Sequence, residues 1–211
     1  MDTISGIIDN LEANGIHALV DVHQDVISSY FCGYDGAPKY VIDLSNSSVN
    51  NAFPWPLPVD ANGDECDRKN WGVSYLGEAV GVAFQGLYDN LNGMRDYYVD
   101  FYQYVAAALK SKDLLGYEFI NEPWAGDIYK HPELLLPGVA GSKNLQRFYD
   151  AVVDKIRLVD DSHLMFYEPV TWGMILNGTV SGSGFTHVCV LYLPHVVSFC
   201  LCSSHVMRTV L

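Results

Sequence analysis

Three times the chain runs from a helix-like segment, through a turn, into a short apolar strand that ends in polar or ionisable residues. In the first unit Ile4, Ile7, Ile8 and Leu11 recur at helical spacing, Gly15 stops the helix, and "IHALVDV" reads as a strand leading to His23, Gln24 and Asp25. In the second, Met94, Tyr97, Tyr98, Phe101, Val105, Ala108 and Leu109 form a helical stripe, and "LLGYEFI" leads to Asn121 and Glu122. In the third, Leu145, Phe148, Val152, Ile156 and Val159 form the stripe, and after "DDSH" the strand "LMFY" leads to Glu168. Strands that alternate with long helices predict an α/β fold with a parallel sheet, whose functional groups collect where the strands end. A (β/α)8 barrel or an open doubly wound sheet satisfies this pattern. No GxGxxG or P-loop motif follows any of the strands, and three successive strand ends carry polar residues, so the barrel is the expected architecture.

Between the first two units, residues 26 to 73 hold a loop-rich insertion that is too long for an ordinary connection and too aromatic for a disordered linker. It is expected to pack over the site as a lid or wall, with Phe53, Trp55 and Trp71 either lining a pocket or pinning the loop to the barrel. Cys32 and Cys66 flank its polar, proline-rich part. In an oxidising compartment a bridge between them stabilises by about 3 to 4 kcal/mol through loop closure; the alternative is two free thiols. The triplets at Asn46 and Asn177 are acceptor patterns for N-glycosylation, meaningful on a secretory route. The segment after Met1 has neither a basic start nor a long apolar stretch, so this sequence shows no signal peptide of its own.

With 12 Lys+Arg against 25 Asp+Glu, the formal net charge of −13 repels phosphate backbones and anionic headgroups, which argues against nucleic acid as a partner. No stable membrane span is expected, since Pro194 and His195 interrupt the apolar run near the end. No His/Cys cluster has metal-ligand spacing, so neither metal nor organic cofactor is expected, and nothing in the sequence points to a protein partner.

A carboxylic acid at a strand end beside an amide fits glycoside hydrolysis. One Glu protonates the leaving oxygen and later activates water, while the amide binds a sugar hydroxyl next to the scissile bond. Retention requires a second carboxylate, the nucleophile, roughly 5 Å away.

"NEP" after one apolar strand and "DVHQD" after another resemble glycoside hydrolase family 5, the cellulase-like clan of retaining (β/α)8 enzymes. Within it, "LVDVHQDVISSYFCGYDGAPKY", "FPWPLP", "YEFINEPWAGD" and "FYEPVTWG" look like the endoglycoceramidase group, which cleaves between the oligosaccharide and ceramide of glycosphingolipids. The resemblance implies that Glu122 is the acid/base and Asn121 the neighbouring substrate amide. It implies that His23 ends the third barrel strand and that Asp25 binds sugar hydroxyls. Trp124 and Trp172 would offer flat faces to a sugar ring or acyl chain. Glu168 matches the end of the fifth strand, so a substrate-wall or structural role is implied for it, because the family carries its nucleophile on the seventh.

The same resemblance implies a partial barrel lacking the first two strands and the last two or three. Residues 1–187 would form the partial catalytic domain and residues 188–211 an atypical tail. The nucleophile glutamate is then absent from this chain, and hydrolysis by the chain alone is not expected. The parent protein is expected to be secreted or lysosomal. Two other functions fit the motifs: a β-glucosidase acting on glucosylceramide or sterol glucosides, and an inactive glycan- or lipid-binding barrel remnant.

Overall fold

The computed structural model describes residues 1–46, 52–58 and 71–170, together with two short strands farther along. Trp172, Asn177 and Cys66 lie outside the described residues, as does most of the expected tail. Each of the three units forms a helix and a strand. Helix α1 (Asp2–Glu12) precedes β1 (Ala18–Asp21), α4 (Met94–Leu109) precedes β2 (Leu114–Glu118), and α5 (Gln146–Arg157) precedes β3 (Leu164–Phe166). The insertion contributes the short α2 (Lys39–Asp43) and ends at α3 (Glu78–Asp89). The sequence reading missed α3 because "EAVGVAFQGLYD" is apolar on nearly every side, so no polar face marks its period; the helix is buried.

Strands β1, β2 and β3 pair in parallel and in chain order, the arrangement expected of consecutive barrel strands. The sheet continues with Phe199–Cys200 and then Val190–Leu191, which pair antiparallel. Asp21 stands opposite Glu118, and Glu118 opposite Phe166. Because side chains alternate along a strand, Asp21 and Glu118 share one face of the sheet. The other face carries Val20, Tyr117 and Met165 into a core built with the helices, where Phe84, Tyr88, Tyr102, Phe148 and Ile156 are almost fully buried.

The sheet and helix layers are joined by buried hydroxyls. The Tyr102 hydroxyl lies 2.5 and 2.6 Å from the Glu118 and Phe119 carbonyl oxygens, satisfying backbone acceptors where β2 runs out of ladder partners. Asp160 caps the turn into β3 by accepting from the Tyr117 hydroxyl at 2.6 Å, from the Ser162 and His163 backbone N–H groups, and from the His163 ring at 2.6 Å. Burial alone would raise the Asp160 pKa, but these hydrogen bonds outweigh it and hold the carboxyl far below the usual carboxylate range. With a depressed folded pKa, that stabilisation is complete above the unfolded value and is lost as pH falls.

Gly116 lies directly against β3, paired with Leu164. A Cβ there would overlap the Leu164 carbonyl and lie 2.6 Å from Phe166 Cε2. Gly116→Ala is expected to cost about 1–3 kcal/mol, read as a lower denaturation midpoint at unchanged m-value; an unchanged midpoint would refute this account of the β2–β3 contact.

Candidate active site

The C-terminal ends of β1, β2 and β3 open on the same side of the sheet. Their loops bring His23, Gln24, Asp25, Asn121, Glu122 and Glu168 together, as the sequence pattern predicted for one site mouth.

Glu122 occupies a left-handed backbone conformation, with φ of 43°, that a non-glycine residue adopts only when its surroundings impose it. Here they do so from two sides. The Glu122 amide N–H donates to Glu168 Oε2 at 2.8 Å. The Glu122 carbonyl accepts from the Tyr75 hydroxyl at 3.1 Å and from Gln24 Nε2 at 3.2 Å. Gln24, which is buried, also donates to the Asn121 carbonyl and to the Tyr75 hydroxyl, while its own carbonyl oxygen accepts from the Ile27 amide. Gln24 thus ties the β1 loop to the β2 loop. Val26 and Ile27, next to it, also have positive φ, at 50° and 64°, although both are β-branched.

His23 is the hinge of the exposed polar group. Its Nδ1 lies 2.8 Å from Asp21 Oδ2, and its Nε2 lies 3.3 Å from Asn121 Nδ2 and 3.9 Å from Asp25 Oδ1. Partial burial works to lower the His23 pKa, but the Asp21 hydrogen bond and the charges of Asp21, Asp35 and Asp25 outweigh it, so the value is raised. Asp25 is almost fully buried and its pKa is raised, by desolvation first and then by Asp35, against the pull of His23. His23, Asp25 and Asp35 bring one ligand atom each to within 4.8 Å of one another, a grouping that the sequence spacing did not disclose. Two of the three are exposed, and each interaction described here is accounted for by its neighbours.

Beneath Glu122 lies a second acidic layer that sequence reasoning missed. Glu118 is only 6% exposed; its Oε1 has no hydrogen-bond partner, and its carboxyl contacts that of Glu168. Burial, then the charges of Glu168 and Asp21, push the Glu118 pKa up to about 8. The Glu168 pKa is raised as well, by burial first and also by the charges of Glu122 and Asp21. The signal was present in "LLGYE", where an acid falls at period two from Gly116 on the face away from the helices.

The aromatic expectations divide. Trp124 presents no open face to a sugar ring: it is 2% exposed, packs against Tyr75 at 5.7 Å between ring centroids, and its carbonyl accepts from the Tyr88 hydroxyl at 2.5 Å. The loop after Glu122 turns inward toward α3, which places the Trp124 indole in the core. Phe53 packs on Phe31 and Trp71 beside Tyr75, both at the edge of the core, so they pin the insertion. Trp55 remains exposed, 5.4 Å from the Tyr129 ring. Cys32 is disulfide-bonded; Cys66, considered above as its partner, lies outside the described residues. Among the described residues no helix is long and apolar enough to cross a membrane.

The family model described as cellulase (glycosyl hydrolase family 5) matches residues 1–182. The chain is 41% identical over 179 residues to an endoglycoceramidase of Hydra vulgaris, covering 80% of this chain and 34% of that protein. It is 39% identical over 185 residues to an endoglycoceramidase of Cyanea nozakii, covering 83% of this chain and 36% of that protein. Among solved structures, endo-glycoceramidase II from Rhodococcus sp. in its ganglioside GM3 complex is similar in fold, with a TM-score of 0.62 at 22% identity over 82% of this chain and 37% of that chain. The chain therefore spans about a third of the length of the relatives it matches.

Because the folded pKa of His23 is raised above the ordinary 6.5, its contribution to stability is complete below that value and fades as pH rises through the raised one. Asp21→Asn should lower the His23 pKa, read from imidazole C–H shifts in an NMR titration. An unmoved midpoint would show that Asp21 is not what holds the charge.

Proposed function

From the premise that this chain belongs to glycosyl hydrolase family 5, we propose that it carries the acid/base half of a retaining glycosidase site of the endoglycoceramidase type. The observation that carries this reading is the braced Glu122 peptide, with Asn121 and His23 beside it at the mouth of three parallel strands.

In this reading Glu122 delivers a proton to the glycosidic oxygen as the bond to the sugar anomeric carbon breaks, and the aglycone leaves as an alcohol. A carboxylate on the opposite side takes the anomeric carbon as an ester. Glu122, now ionised, then removes a proton from the water that hydrolyses that ester, which restores both groups. Asn121 and His23, which lie 3.3 Å apart, are proposed to hydrogen-bond sugar hydroxyls beside the reacting bond.

Glu168 is not assigned as the attacking carboxylate. Its Oε2 already accepts from the Glu122 amide and its carboxyl contacts Glu118, so it is committed within the wall. The nucleophile is proposed to come from outside the described residues, and activity of the whole enzyme to need them. The proposed substrate class is glycosphingolipid, supported by the names of the two endoglycoceramidase relatives and by the GM3 complex of the Rhodococcus sp. protein. Passage through a secretory compartment is proposed as well, supported by the disulfide at Cys32 and the exposed acceptor Asn46.

The test is a chimaera in which residues 1–182 replace the matched segment of the Hydra vulgaris relative. Glu122→Gln in that protein should lower turnover by about 10²- to 10⁴-fold with folding intact, and azide should restore cleavage of a substrate with an activated leaving group. Unchanged turnover would refute the acid/base role. Release of intact oligosaccharide from a ganglioside supports the endoglycoceramidase reading, whereas release of glucose from glucosylceramide alone supports a β-glucosidase.

A further inference from the structure

Two carboxyls packed side by side and away from water cannot both ionise at ordinary cost, so a buried Glu–Glu contact retains a proton between its members. Glu118, almost fully buried, and Glu168, half-buried, make a carboxyl contact of this kind beside the Glu122 peptide. They do not sit in isolation. The Glu168 carboxylate is the acceptor for the Glu122 amide, and that amide belongs to a peptide whose φ of 43° has to be held in place.

We propose that Glu118 and Glu168 are a positioning pair for Glu122: the protonated Glu118 carboxyl donates to Glu168, and the Glu168 carboxylate fixes the Glu122 amide N–H. Neither residue touches substrate in this scheme; each acts through the next. The proposal makes specific the substrate-wall or structural role that resemblance implied for Glu168, and it rests on the reading of Glu122 as the acid/base.

Three features of the surroundings fit a single retained proton. Asp21, from the end of β1, adds negative charge to both members, while His23 from the following loop pulls the other way on Glu118. Tyr102 from α4 donates its hydroxyl to the Glu118 and Phe119 carbonyls, and Tyr149 from α5 donates to the Glu168 carbonyl at 2.6 Å, so these hydroxyls brace the backbone that carries both members of the pair. The buried Glu118 Oε1 has no partner, which suits a neutral carboxyl far better than a carboxylate. When pH rises enough to ionise Glu118, the donor to Glu168 disappears and two like charges face each other under the Glu122 peptide.

NMR on this chain, labelled at the glutamate carboxyl carbons and the backbone amides, tests the relay. Expected are a Glu118 carboxyl that titrates well above the ordinary range and a Glu122 amide shift that follows the same midpoint. Glu118→Gln keeps a donor at every pH, so it should hold the Glu122 amide at its low-pH position throughout. Glu118→Leu and Glu168→Ala should both displace the amide. In the chimaera, Glu118→Leu should lower kcat about a hundredfold with little change in KM, and Glu118→Gln should restore most of it.

A Glu122 amide indifferent to pH, to Glu118→Leu and to Glu168→Ala overturns the proposal, as does a Glu118 that titrates in the ordinary carboxylate range. Because the amide reports the hydrogen bond and not turnover, the two readings fail separately. Loss of turnover in Glu122→Gln without amide coupling removes only the positioning pair, and coupling without that loss removes only the acid/base assignment.

Discussion

The peptide that carries Glu122 is held in the left-handed region by hydrogen bonds at both ends, and the arrangement of the site depends on that grip. Glu168 takes the N–H, while Tyr75 and Gln24 supply the carbonyl. An unstrained chain would place the Glu122 side chain elsewhere, because a left-handed φ costs on the order of 1–3 kcal/mol at a non-glycine residue. The three groups that offset this cost come from three different parts of the sequence: the β1 loop, the end of the insertion and the β3 loop. The turn is therefore a property of the assembled sheet and not of the Asn-Glu-Pro motif itself.

The same constraint explains the polarity beneath the site. Parallel pairing in register puts Asp21 and Glu118 side by side on the face away from the helices, and Glu168 follows two residues after Phe166 on β3. Burial then sets Glu118 apart from its neighbours. Glu118 is driven toward the neutral form, whereas Asp21 sits at the open edge beside the His23 imidazole. Acids separated by about a hundred residues of chain in one case and about fifty in the other come together once the strands pair in register and the β3 loop follows.

The outer layer is organised by a different economy. Tyr102 on α4 and Tyr149 on α5 combine large apolar area with one hydroxyl, and each of these hydroxyls goes to a backbone acceptor at a strand end. This fixes the loops from behind while leaving the mouth to charged and amide groups. Trp124 shows the consequence for a residue beside the motif: α3, itself nearly all apolar, draws the post-Glu122 loop inward and takes the indole into the core.

Much of this was legible in the chain. Helical stripes ending in short apolar strands, repeated three times, determined the parallel α/β order, and the polar residues after each strand determined which end gathers the candidate site. These are local properties, set by side-chain periods of 3.6 and 2 along contiguous residues. What the tertiary structure decided were pairings between distant segments: Glu168 with the Glu122 amide, Glu118 with Glu168, Gln24 across two loops, and the burial of Trp124. No periodicity encodes them, because a hydrogen bond between residues dozens of positions apart exists only after strand register and helix packing have placed both partners, and burial sets its strength only once water has been excluded.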